Sequence, residues 1–183
     1  MKVDIQPDEQ TERAWVERFL RGGEEAAFRA LYRAHTGYLW RLAARLCGTR
    51  NDSAEDALQE AWLRAARALP NFRWESRLRT WLGGIVVNCC REQRRRAARA
   101  DPAPEPVLVR PNELARLDLE AALLSLPDGL REVLVLHAIE GYTHEEIGGL
   151  LGIAAGTSKS RLFDARAAIR RRLGPPDQGA HDE

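Results

Sequence analysis

Thr143 to Leu173 reads THEEIGGLLGIAAGTSKSRLFDARAAIRRRL. Thr143, with Glu146 three positions on, makes a capping box, in which hydroxyl and carboxylate each satisfy the other's backbone donor. The short helix it opens has Ile147, Leu150 and Leu151 inward and stops at Gly152. Ile153 to Gly156 are expected to make a tight turn. A last helix then runs from about Thr157 to Leu173, with Leu162, Phe163 and Ile169 on one side and Arg161, Arg166, Arg170 and Arg172 supplying charge. A capped short helix, a glycine turn and a basic helix form a helix-turn-helix pattern. In such a unit the first helix braces the second. The N-terminal residues of the second face base edges in the major groove, and flanking cations hold phosphates. The candidate groove residues are Thr157, Ser158, Lys159, Ser160, Arg161 and Arg166. Arg and Lys donate to guanine O6 and N7, and Ser or Thr to several edges. An ordinary helical hairpin in a bundle is the bland alternative.

Working back from this stretch, the pattern stays helical, with apolar residues at three- and four-residue steps and few turn signals. One helix is expected over Asp128 to Glu140, stopping at Gly141, and one over Glu113 to Leu126, stopping at Pro127. Before them lies ADPAPEPVLVRPN, Ala100 to Asn112, with Pro102, Pro104, Pro106 and Pro111. Proline removes backbone donors and clashes in a helix interior, so this segment reads as an extended linker. Four more helices are expected upstream, over about Thr11 to Arg21, Glu24 to Cys47, Asn51 to Leu69 and Ser76 to Arg99. The loop Asn71 to Glu75 follows Pro70. The fold class is therefore all-α: two small helical domains, 1–99 and 113–174, joined by a Pro-rich linker over 100–112, with a disordered tail over 175–183.

The 183 residues carry a net charge of only +1, but the charge is segregated. Arg64 to Arg99 holds ten arginines against Glu75 and Glu92, and Thr157 to Leu173 holds six cations against Asp164. Met1 to Glu25 and Asn112 to Gly156 are net acidic. Basic blocks at the ends of two helical units are the footprint of a polyanion-binding protein; solvated helix faces are the alternative. No apolar stretch approaches a membrane span, and the first residues, MKVDIQPDEQTER, lack the apolar core of a signal peptide. The three cysteines, two of them adjacent, argue against a disulfide framework and for a reducing cytoplasm. Cys89 and Cys90 lack C-x-x-C spacing and should point to different faces of one helix as buried small hydrophobes. The histidines His35, His137, His144 and His181 show no metal spacing and no acid partner. No phosphate-binding glycine motif is present. Together these exclude the common enzyme, metal and cofactor classes: no catalytic residue, metal or cofactor is expected.

Four segments occur in order: AFRALYRAHTGYLWRLAARL, SAEDALQEAWLRA, LPNFRWESRLRTWL and LSLPDGLREVLVLHAIEGYTHEEIGGLLGIAAGTSKSRLFDARAAIRRRL. Their combination resembles the extracytoplasmic-function group of bacterial sigma factors, two-domain members of the sigma-70 family, over about Glu24 to Leu173. The resemblance implies region 2, a linker and region 4, and binding to core RNA polymerase and promoter DNA. The D-x-x-Q-E helix of the family docks on a coiled coil of the β′ subunit, and β is a further polymerase contact. The matching positions here are Asp56, Gln59 and Glu60, which share one helix face. The loop and helix that recognise and melt the −10 element correspond to Asn71, Phe72, Arg73, Trp74, Arg77, Arg79, Asn88 and Arg91. Melting takes bases out of the stack, which aromatic platforms and a basic groove favour. Trp81 reads as a core residue and Trp74 as the loop's ring. Region 4 would read the −35 element through the groove residues above.

The sequence departs from the family pattern at Gly83-Gly84, Gly148-Gly149, Ser158, where Val is common, and His137, where Arg is frequent. An anti-sigma factor is a further partner that the resemblance implies. Membrane insertion is not expected, and the site of action is cytoplasmic. Two other readings keep part of the chemistry. A helix-turn-helix regulator that ignores polymerase leaves the D-x-x-Q-E face and the Phe72–Trp81 segment unexplained. A sigma mimic that binds only an anti-sigma factor would have lost the basic residues this chain keeps.

Overall fold

The computed structural model describes residues 7–47, 51–100 and 114–173. The expected proline-rich linker and C-terminal tail lie outside the described residues, apart from Ala100, which ends a helix. All regular elements are helical, with no strand among the described residues, as the all-α reading expects. The chain divides into two compact units, Met1–Pro102 and Ala103–Glu183. No helix among the described residues is long and apolar enough to cross a membrane.

In the first unit, α1 (Glu9–Gly22) begins on Asp8, whose carboxylate accepts from the Thr11 amide at 2.7 Å. It ends on Gly23 at φ 62°, the left-handed stop that glycine adopts without penalty. α2 (Glu25–Cys47), α3 (Asn51–Ala68) and α4 (Leu78–Ala100) pack on one another, with a short 3-10 turn at Leu69–Asn71. Leu31, Leu39, Leu42 and Leu46 of α2 and Leu78, Leu82 and Val86 of α4 are all buried where these helices pack. α3 presents Ala54, Ala57, Ala61 and Ala65, all buried. These small side chains let the helix axes approach closely.

A histidine and two adjacent cysteines are buried in this unit. His35 is fully enclosed, and Glu12 of α1 brings a carboxylate oxygen within 3.1 Å of its Nε2. This acid partner, absent from the sequence expectations, comes from a different helix, where no local spacing reveals it. Cys89 and Cys90 are both buried, and they face different surroundings. Burial pushes the Cys89 thiol up to about 11, beside Arg64 and Glu92. Cys90 is raised by its hydrogen bond with Cys47 and by burial. Both thiols therefore stay protonated and pack as small apolar groups.

In the second unit, α8 (Ala155–Leu173) packs against α5 (Leu114–Leu124), α6 (Asp128–Leu134) and α7 (His144–Leu151). Arg131 of α6 is buried. Its guanidinium donates to the carbonyl oxygens of Leu124 and Leu126 and to the Asp128 carboxylate, satisfying the open end of α5. The single helix expected over Asp128 to Glu140 is corrected: it widens at Val135–Ile139 into a π-helical turn, with Glu140 N donating to Val135 O at 3.1 Å. Val133, Leu134, Val135 and Leu136 are buried in succession, more than one stripe of a 3.6-residue turn presents. The capping box at Thr143 is formed in both directions, with Glu146 N to Thr143 Oγ1 at 3.1 Å and Thr143 N to Glu146 Oε2 at 2.8 Å.

The last helix begins two residues before Thr157, because the Ala154 carbonyl already accepts from Ser158 N at 3.0 Å. Neither Ala154 nor Ala155 carries a capping signal. The Gly148-Gly149 pair divides cleanly. A Cβ on Gly148 would stand 2.8 Å from the Ile153 carbonyl oxygen, whereas one on Gly149 would meet open space. Gly148 thus lets α7 seat directly against the turn into α8. We expect Gly148→Ala to destabilise the protein by about 1–3 kcal/mol, as overpacking does. Gly149→Ala should stabilise it by up to about 1 kcal/mol, the helix-propensity difference. Thermal unfolding of the two variants checks this, and shifts of the same sign would refute it.

Candidate polymerase and nucleic-acid interfaces

Three surfaces collect the site residues read from the sequence. On α3, Asp56 and Gln59 are exposed and Glu60 is half-buried. Glu60 is already engaged: Arg64 Nε donates to its Oε1 at 2.7 Å. The same guanidinium donates through its two amino groups to both oxygens of Glu92 on α4, at 2.8 and 2.7 Å. These bonds lower the Glu92 pKa and raise that of Arg64. Glu60 therefore helps fasten α3 to α4, and Asp56 and Gln59 are the more available part of the pattern. Leu63, 55% exposed, stands one turn past Glu60 on the same face. It is not among the residues expected from the sequence, where its signal is an apolar side chain off the buried alanine stripe.

The second surface is the segment before α4 together with α4 itself. Asn71, Arg73 and Arg77 are exposed; Phe72 and Trp74 are half-buried. Trp74 has φ 58°, the one positive φ of a non-glycine residue among the described residues. Its ring packs on Phe72 with centroids 4.9 Å apart, and Phe72 packs on Trp81 at 4.8 Å. Trp81, expected in the core, is instead half-buried at the end of this stack. Arg79 lies over the Tyr38 ring at 3.7 Å, which directs it toward α2. Asn88 is exposed one heptad after Trp81, and Arg91 is half-buried one turn further on. Gly83 is buried and Gly84 half-buried beside the same helix face. Arg94 donates to the Leu46 carbonyl at 2.7 Å and so closes the end of α2. The arginine block is thus only partly a solvent face.

The third surface is the first half of α8. Thr157, Lys159 and Ser160 are exposed. Arg161 is half-buried, its guanidinium 3.2 Å from where a side chain on Gly129 would begin, so the glycine leaves it room to lie across α6. Arg166 is exposed seven positions after Lys159, on the same side of α8, and helps line an apolar groove of about 390 Å³ that includes Leu119, Leu123 and Ile139. One expectation is corrected: Ser158 does not face a groove. It is fully buried, with His144 Nδ1 2.9 Å from its Oγ. Ser158, Leu162 and Ala165 form the inward stripe at i, i+4 and i+7. The same phase separates Phe163 from Leu162, with which it was expected to share one side: it is 68% exposed beside Lys159 and Ser160. An aromatic ring there can pack on a thymine methyl group.

Behind this surface the His137 and His144 rings stack at 4.2 Å. His137 Nδ1 donates to the Tyr142 carbonyl at 2.8 Å. Burial, then the neighbouring His137 and Lys159, lower the His144 pKa below its ordinary 6.5, with Glu145 opposing and Arg166 adding slightly. A histidine whose folded pKa is depressed resists protonation in the folded state. Its contribution to stability is intact above about pH 6.5 and is lost as pH falls below that value. We expect thermal stability to decline between pH 7 and pH 5, and His144→Gln to flatten the decline at its acid end. A variant with an unchanged profile would remove His144 as the source.

Sequence and structure comparisons converge on these units. The sigma-70 region 2 family pattern matches residues 31–100, and the sigma-70 region 4 pattern matches residues 116–169. The ECF RNA polymerase sigma factor SigM of Mycobacterium tuberculosis is 37% identical over 164 residues, covering 87% of this chain and 83% of that protein. The ECF RNA polymerase sigma-E factor of Haemophilus influenzae is 30% identical, covering 90% and 96%. Among solved structures, the Bartonella quintana sigma factor RpoE, in complex with the anti-sigma factor NepR, is 28% identical, with a TM-score of 0.69 over 80% of this chain and 96% of that one. CnrH, in complex with the cytosolic domain of CnrY, is 30% identical, with a TM-score of 0.63 over 89% and 97%.

Proposed function

The chain belongs to the extracytoplasmic-function sigma factors of the sigma-70 family, and from that premise we propose how its surfaces divide the work of initiation. It is a promoter-specific factor that binds core RNA polymerase; the bond-making chemistry is the polymerase's, and the site of action is the cytoplasm. Asp56 and Gln59, with Leu63 beside them, dock on the β′ coiled coil, acidic and polar groups fixing register around an apolar contact. The Asn71–Arg77 loop and the Asn88–Arg91 face of α4 receive the −10 element. Arg73 and Arg77 hold the backbone there, and the Phe72–Trp74 rings favour unstacked bases. Thr157, Lys159, Ser160 and Phe163 enter the major groove of the −35 element, with Arg161 and Arg166 on the flanks toward phosphate. An anti-sigma factor is the expected regulator.

The observation that carries this assignment is the phase of α8. Its inward stripe is filled by Ser158, Leu162 and Ala165, which leaves a polar and aromatic face free at the N-terminal half of a braced helix. The test is transcription by the purified protein with core polymerase on pooled genomic fragments, read by sequencing RNA 5′ ends. Discrete starts sharing two upstream motifs are expected. Absence of starts, with the protein still co-eluting with polymerase, would favour a mimic; absence of both would favour a polymerase-independent regulator.

A further inference from the structure

The first helix lies outside both matched family patterns, the earlier of which begins at residue 31. It nevertheless reaches the loop assigned above to the −10 element. The Arg13 guanidinium sits 4.5 Å from the centre of the Trp74 ring. Through the tilted Trp74–Phe72 and Phe72–Trp81 ring contacts, a continuous chain of contacts runs from α1 across the loop to α4. The far side of Arg13 is anchored too: its Nε and one amino group donate to Glu9 Oε1 at 2.9 and 2.7 Å.

Trp74 needs such support. A bulky residue at φ 58° occupies a region that side chains rarely adopt, and it persists only where its surroundings over-determine it. Phe72 supports the ring from one side and Arg13 from another. We propose that Arg13 is a positioning residue for −10 recognition: it holds Trp74 in this conformation and so fixes how the loop presents Arg73 and Arg77 to DNA. The proposal rests on the assignment of this loop to the −10 element. Without the guanidinium, Trp74 loses one ring contact and its backbone can relax to negative φ. That rotation re-aims the residues on either side relative to α4. Lysine keeps the charge but has no planar group to lie on the ring, so it restores the arrangement only in part.

The test uses holoenzyme assembled from core polymerase and this chain, with a fork-junction probe whose −10 element is single-stranded, taken from a promoter the protein itself uses. Arg13→Ala should weaken probe binding about two- to fivefold, the size of an exposed cation–π contact, with Arg13→Lys in between and co-elution with polymerase unchanged. In a Trp74→Gly background, where glycine accepts positive φ freely, Arg13→Ala should have no further effect. Wild-type affinity for Arg13→Ala, or the same loss in the Trp74→Gly background, would overturn the proposal. Indifference of the wild-type holoenzyme to the fork, with duplex −35 binding intact, would overturn the −10 assignment and the proposal with it.

Discussion

Alanine at Lys159 and Phe163 together is expected to lower affinity for −35 DNA by about 100-fold, each groove contact contributing about 1–3 kcal/mol. Both side chains are exposed on the outward half of α8, one turn apart, with Ser160 between them. They act through different physics, so the two single variants separate. Lys159 neutralises phosphate or donates to a base edge. Its loss should reduce the slope of log affinity against log salt by about one if it holds phosphate. Phe163 is uncharged, and its loss should leave the salt slope alone while relaxing preference at one base position. Ser158→Ala is the internal control. It sits between Thr157 and Lys159 in sequence but is buried against His144, so it should shift thermal stability and leave DNA sequence preference unchanged. Fluorescence anisotropy on specific and scrambled duplexes reads all of these. Equal losses on both duplexes for Phe163→Ala would mean that the ring does not read sequence.

The Ser158 and Phe163 corrections show where sequence reading stops for this fold. Helix punctuation was legible because it is local: the Thr143–Glu146 box, the Gly152 stop and the break at Pro70 are short-range patterns with one physical meaning. The charge segregation and the shared face of Asp56, Gln59 and Glu60 were legible for the same reason. The rotational phase of α8 was not. A helix start misplaced by two residues, with Leu162 and Phe163 adjacent, leaves the inward direction open until α7 is seen against it. Contacts between distant residues were equally hidden. Arg64 finds Glu92 across 28 positions, His35 finds Glu12 on another helix, and Arg13 reaches a loop about 60 residues away. The π-helical turn at Val135–Ile139 follows on four successive buried residues, Val133–Leu136, a run that does not by itself mark a wider turn.

The α3 face yields the second large effect. Asp56→Arg is expected to weaken association with core polymerase by about 30-fold or more, since a like charge set against a basic partner costs several kcal/mol. Asp56 is exposed, so the variant should unfold at the wild-type temperature. Glu60→Arg should behave differently. It removes the partner that accepts from Arg64 at 2.7 Å and sets a second cation beside it. The Arg64–Glu92 link between α3 and α4 then has to rearrange, and thermal stability should fall together with polymerase binding. The contrast separates a docking charge from a fastening one, which affinity alone would not. Raising salt supplies a second discriminator. The wild-type association should weaken as screening shortens the reach of the Asp56 carboxylate, and Asp56→Arg should respond in the opposite sense. If Asp56→Arg co-elutes with polymerase like the wild type at every salt concentration, the docking face lies elsewhere on this unit.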